Sequence, residues 1–182
     1  MLNIKTLSVF LLFSLVSFCS APLPVFEFGS DFILTDQNGK EFKLSDHNEK
    51  NKLMFFGYLS CPDFCPVTMA KISGVLKSMN SGEDFQIIYI SVDPERDTVE
   101  KLRAYAASFN SNITALTGKI DNIQKIAQDY KAAFQKAESG SALGYTIDHT
   151  TRVYLLDKQN RVRHLFRYPD GPEIYRDVLG RL

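Results

Sequence analysis

The sequence predicts an α/β domain of three layers, with a mixed central sheet and a β-hairpin on its N-terminal side. Three observations carry this. Leu53 to Tyr58 and Phe85 to Val92 are continuous apolar runs, the pattern of strands buried on both faces. Segments with helical spacing separate the runs, so the strands they connect lie parallel in one sheet. The last two strand-like runs, Arg152 to Leu156 and Val162 to Phe166, are joined only by the turn Lys158-Gln159-Asn160, which makes the sheet mixed.

The remaining elements follow in order. Phe32 to Leu34 and Glu41 to Leu44 flank Asn38-Gly39, residues that tolerate positive φ, and read as a hairpin covering one sheet end. Met69, Ile72, Leu76 and Met79 recur at three, four and three residues, a helix whose first turn accommodates Pro66. Asp97-Thr98-Val99-Glu100 has capping-box spacing ahead of a helix through Phe109, a reading that needs no metal. A short strand near Ile113 to Leu116, a helix from about Lys119 to Lys131 and a terminal helix complete the order.

The 182 residues are 45% hydrophobic and 23% charged, a balance that supports a packed core in one domain over residues 22–182. Residues 1–21 contain one base, Lys5, no acid, and the twelve-residue apolar run Leu7 to Phe18. They read as a secretory signal or a membrane anchor, and predict export to a periplasm or the outward face of a membrane. Leu15 to Ser20 resembles a bacterial lipobox and makes Cys19 a candidate for lipidation. Phe18 departs from the small residue expected there, and an ordinary cleaved signal is the alternative. Lys5 aside, 20 basic residues face 21 acidic ones, so no field recruits nucleic acid.

Cys61-Pro62-Asp63-Phe64-Cys65 places two thiols four residues apart where a strand turns into a helix, and the helix N-terminus favours thiolates. Side chains at this spacing stand about 5–6 Å apart at Cβ, and one metal held by two thiolates needs sulfurs about 4 Å apart. Two thiolates are an incomplete set, and thiolate with one imidazole suits copper or zinc. With parallel strands, His149, in a loop before the Arg152 strand, lies at the cysteines' sheet edge. His47 and His164 read as surface residues. Met69 has a sulfur that can bind copper, but its helical spacing favours the core.

Gly57 to Pro66, Ser91 to Thr98, and Asp148-His149-Thr150 leading into Val153 to Asp157 occur in that order and together resemble the Sco/SenC copper chaperones, over residues 26–182. The resemblance implies a thioredoxin-like fold and copper, as Cu(I) or Cu(II), held by Cys61, Cys65 and His149. It also implies a role in assembling the dinuclear copper centre of cytochrome c oxidase subunit II, by ligand exchange rather than enzymatic turnover. Leu59, Ser60 and Phe64 depart from common family residues without removing a ligand. Asp93 falls in a family block near the site, as a residue standing behind the ligands. Tyr58 and Phe64 mark a surface for the partner copper protein.

A Cys61–Cys65 disulfide would abolish binding, so a thiol reductant is implied as a second partner. The rival reading is a thiol-disulfide oxidoreductase that keeps the partner's cysteines reduced. Against a general thioredoxin role, the spacing is C-x₃-C and no proline occurs between Asp97 and Tyr168. Against a peroxiredoxin, Tyr58 stands three residues before Cys61, where those enzymes place Thr or Ser.

Overall fold

The computed structural model describes residues 21–80, 82–109, 112–138 and 144–182. The signal-like segment and Cys19 lie outside the described residues, and among the described residues no helix is long and apolar enough to cross a membrane.

Among the described residues there are nine strands and four α-helices. The strands are β1 (Ile33–Asp36), β2 (Glu41–Lys43), β3 (Asn51–Gly57), β4 (Phe85–Ser91), β5 (Ile113–Thr117), β6 (Phe134–Glu138), β7 (Tyr145–His149), β8 (Val153–Leu156) and β9 (Val162–Phe166). The helices are α1 (Phe64–Ser78), α2 (Val99–Ala107), α3 (Ile120–Asp129) and α4 (Pro172–Leu179). Seven strands form one sheet in the order β2-β1-β5-β4-β3-β8-β9, and β6 and β7 pair only with each other. The β3–β4 and β4–β5 pairs are parallel and the rest antiparallel, giving the expected mixed sheet.

Every residue of β3 and β4 is buried. Side chains alternate between the two faces of a strand, so both faces of the sheet centre are covered and the domain has three layers. Met69 and Ile72 are fully buried on α1, so Met69 is a core residue as its spacing required. The N-terminal hairpin forms with Gly39 at positive φ, and β2 ends the sheet as expected.

Four expectations need correction. The stretch Pro22 to Pro24 reads in sequence as a short Pro-containing tether, but it is docked: Leu23 is buried, Arg163 donates to the carbonyls of Leu23 and Pro24, and Phe26 bridges to Val162. Asp97 does not cap α2; Thr98 is the N-cap and its hydroxyl accepts from the Lys101 amide. His149 is not in a loop but is the last residue of β7, a strand absent from the sequence reading. His47 and His164 are partly buried instead of free on the surface, each packed against an aromatic ring, Phe42 and Phe166 respectively.

Lys52 is a further surprise. The apolar run that marks β3 begins at Leu53, yet the strand starts two residues earlier and carries Lys52 fully inside, its Nζ without a hydrogen-bond partner.

Candidate metal centre

The strand β3 delivers the chain to the sheet's end, where Gly57 allows a close approach that no other residue would. A Cβ there would stand 2.9 Å from the Cys65 sulfur and 2.8 Å from the Phe55 ring. Tyr58 to Asp63 then turn into α1, with Cys65 in its first turn. The turn is held from below by Asp97, whose buried carboxylate accepts the Leu59 amide at 3.0 Å and the Ser91 hydroxyl at 2.6 Å. Burial raises the pKa of this carboxyl, and those two bonds partly offset it.

His149 arrives at the same end by an unexpected route. In a parallel pair, strand starts lie beside strand starts, so a β8 parallel to β3 would have put His149 at the wrong end of the sheet. β8 is antiparallel to β3, with Val153 beside Phe55, and the residues preceding β8 therefore meet the residues following β3. The histidine named from the sequence is the one brought to the cysteines, for a different topological reason.

The donor atoms of Cys61, Cys65 and His149 all lie within 4.8 Å of one another, and this is the one such His/Cys/carboxylate grouping among the described residues. Cys65 Sγ is 3.6 Å from His149 Nε2. The imidazole Nδ1 is 3.1 Å from the Thr150 carbonyl. A carbonyl only accepts, so Nδ1 carries a hydrogen, and Nε2 is the nitrogen turned toward the sulfurs, the one a metal would take. Phe55 and Tyr58 present ring edges to the imidazole at centroid distances of 6.0 and 5.8 Å.

The two cysteines are free thiols with unequal environments. The Cys65 proton is shared with Cys61, and that hydrogen bond outweighs burial and lowers the Cys61 thiol well below its ordinary value; His149 and the backbone N–H groups of Asp63 and Cys65 help. Cys65 moves the opposite way, pushed far up by donating to Cys61 and by burial. Cys61 is 9% exposed and Cys65 2%, so a partner reaches Cys61 first. Cys61 and His149 line a cleft with Tyr58, Pro62, Phe64 and Ile147.

Tyr58 is not the exposed docking residue expected. It is buried, and its hydroxyl lies within reach of the Ile147 amide and the Cys61 sulfur, tying the cysteine turn to β7. Phe64 is exposed and packs edge-on against Tyr168. Asp93, expected behind the ligands, is buried, and its carboxylate engages Arg96 and the Tyr145 hydroxyl. Asp97, read from the sequence as a cap, is the residue that holds the cysteine turn, and only the fold could place it under Leu59.

The SCO1/SenC family model matches residues 21–182, nearly the whole chain. This chain is a SCO1/SenC protein. The SCO2-like protein RP587 of Rickettsia prowazekii is 33% identical over 149 residues, covering 80% of this chain and 73% of that protein. ScoI of Bradyrhizobium japonicum, solved with copper bound, is 37% identical with a TM-score of 0.75, over 85% of this chain and 99% of that one. BsSco, described as having a disulfide switch and as a member of the Sco family of cytochrome c oxidase assembly proteins, is 26% identical with a TM-score of 0.65, over 88% of this chain and 95% of that one. The SCO1/SenC fold is thioredoxin-like, as the resemblance implied, and its Cys61, Cys65 and His149 form a group able to hold a metal ion.

Proposed function

We propose that this SCO1/SenC protein binds one copper ion through Cys61, Cys65 and His149 and passes it to the dinuclear copper centre of cytochrome c oxidase subunit II or to a related exported copper enzyme. The observation that carries the reading is the convergence of two sulfurs and a correctly oriented imidazole nitrogen within 4.8 Å at the open end of the sheet. Two thiolates at about 2.3 Å from one ion and an imidazole at about 2.0 Å require only that these atoms close in by a small amount. Copper-bound ScoI and the stated role of BsSco's family in oxidase assembly support the same reading.

The chemistry is ligand exchange. Cys61, the less buried of the two thiols, offers a route by which an incoming thiolate or imidazole displaces the site's ligands one at a time. Residues 1–21 export the chain and hold it at a membrane, with Cys19 as the acylated residue, so donor and acceptor meet at one surface. A thiol reductant keeps Cys61 and Cys65 in the binding form.

One observation favours a second reading. A lowered thiol beside a more deeply buried, raised one is also the pair of a thiol-disulfide reductase, which would use Cys61 to attack a partner's disulfide and Cys65 to resolve it. Copper stoichiometry and affinity of the reduced domain from residue 22, measured anaerobically against a competing chelator beside His149→Ala, separate the two. One tight ion, strongly weakened by the substitution, supports the chaperone. Negligible or equal binding in both proteins moves the function to disulfide exchange.

A further inference from the structure

We infer that Asp93, Arg96 and Tyr145 form a clasp that sets the position of His149, with Tyr145 and Arg96 as positioning residues; the inference rests on the copper-site reading above. The starting point is that His149 sits on a hairpin that has little to hold it. β6 and β7 pair only with each other, and of their ten residues Ile147 alone is buried. Two-stranded ribbons are marginal in water on their own. The bonds at the His149 end, Thr150 N–H to the Ala133 carbonyl and Ala133 N–H to the Thr150 hydroxyl, join the two arms to each other, and toward the cysteine turn this end has the Ile147 amide within reach of the Tyr58 hydroxyl.

The other end of β7 is gripped. The Arg96 guanidinium lies 3.7 Å above the Tyr145 ring centroid and donates to the Tyr145 carbonyl at 3.0 Å. The Tyr145 hydroxyl donates to Asp93 Oδ1 at 2.8 Å, and Arg96 Nε donates to Asp93 Oδ2. Asp93 is 1% exposed, so these bonds form in a low-dielectric setting where each is worth more than at the surface. An exposed pair, Lys136 with Glu95, adds to the same contact.

The clasp and the cysteine turn share one frame. Ser91 accepts the Asp93 amide at 3.1 Å and donates to Asp97, which in turn holds Leu59. The five-residue turn from Asp93 to Asp97 therefore fixes the cysteine turn with its last carboxylate and the histidine hairpin with its first. The distance between the thiols and the imidazole is set through that turn. With the clasp open, the hairpin swings and takes His149 away, leaving a two-thiolate site.

The test is a double-mutant cycle of Tyr145→Ala and His149→Ala, read by Cu(I) and Cu(II) affinity and by nitrogen hyperfine coupling on Cu(II). Two thiolates satisfy Cu(I), whereas Cu(II) depends on the imidazole, so Tyr145→Ala should weaken Cu(II) binding by about tenfold more than Cu(I) and abolish the nitrogen coupling. The double variant should bind no worse than His149→Ala alone, because the clasp acts only through His149. Additive losses, or retained nitrogen coupling in Tyr145→Ala, overturn the proposal. Tyr145→Phe, which keeps the ring and loses the Asp93 bond, carries the test if the alanine variant fails to fold, with an intermediate loss expected. If the wild-type domain binds no copper, the copper reading fails by itself. The clasp is then judged by nuclear Overhauser contacts from His149 to Phe55 and Tyr58 in the metal-free protein, which Tyr145→Ala should remove and whose persistence refutes it.

Discussion

Cys65 Sγ lies 3.6 Å from Nε2 of His149, across 84 residues of sequence. Neither element that carries these atoms touches the metal site by local structure alone. One stands in the first turn of α1 and the other ends a satellite hairpin, and the antiparallel β3–β8 pair brings the two ends together.

The thiols should react unequally. Iodoacetamide should modify Cys61 ahead of Cys65 in the reduced, metal-free domain, and its rate should stay high below the pH at which an ordinary thiol of pKa about 8.5 falls silent. The reason is the hydrogen bond from Cys65 and the greater exposure of Cys61. Peptide mapping after short labelling at several pH values checks this; equal labelling, or a midpoint near 8.5, contradicts it.

Gly57→Ala should destabilise the domain by about 1–3 kcal/mol, the usual cost of overpacking, and should loosen the copper site as well. The added methyl would meet the Cys65 sulfur at 2.9 Å and Tyr89 at 3.1 Å, and neither belongs to a side chain free to move away. Thermal melting and copper competition on one preparation read both effects.

Asp97→Ala should cost about 1–3 kcal/mol, because it leaves the Ser91 hydroxyl and the Leu59 amide without their acceptor. Asp97→Asn keeps one acceptor oxygen and should lose less. Urea unfolding ranks the three proteins, and a wild-type-like alanine variant would show that the turn needs no support from below.

Lys52→Met should stabilise the protein at neutral pH by about 1–3 kcal/mol, since a buried ammonium without a partner is removed. Burial lowers the Lys52 pKa from 10.5 to about 8, against the attraction of Glu49 and Asp157. The unfolded chain therefore binds more protons than the folded one between about pH 8 and 10.5, and wild-type stability should gain relative to Lys52→Met as pH rises through that window. A constant difference between the two unfolding curves across that range would contradict a buried Lys52.

Much of the fold was legible because its signals are local. β3 and β4 announce themselves as apolar runs, and the stripe from Met69 to Leu76 has the period of a buried helix face. The β6–β7 hairpin escaped because all but one of its residues stay at least partly exposed, so hydrophobicity marks it weakly. The alternation in Tyr145-Thr146-Ile147-Asp148-His149 was the signal available, with period two over five residues. Lys52 was missed for the opposite reason: a charge reads as solvent, and only packing from the neighbouring strands buries it.

The sequence by itself determined the donor types and their chemistry. Two thiols four residues apart at a helix start face one ion whatever surrounds them, because spacing and helix geometry are local properties. It also determined the family, through three ordered motifs around those residues. The tertiary structure decided how the third donor arrives, which carboxylate holds which half of the site, and where the docked segment Leu23 to Phe26 lies. Those are contacts between residues far apart in the chain, set by strand order and direction, and a one-dimensional pattern carries no record of which ends of a sheet meet.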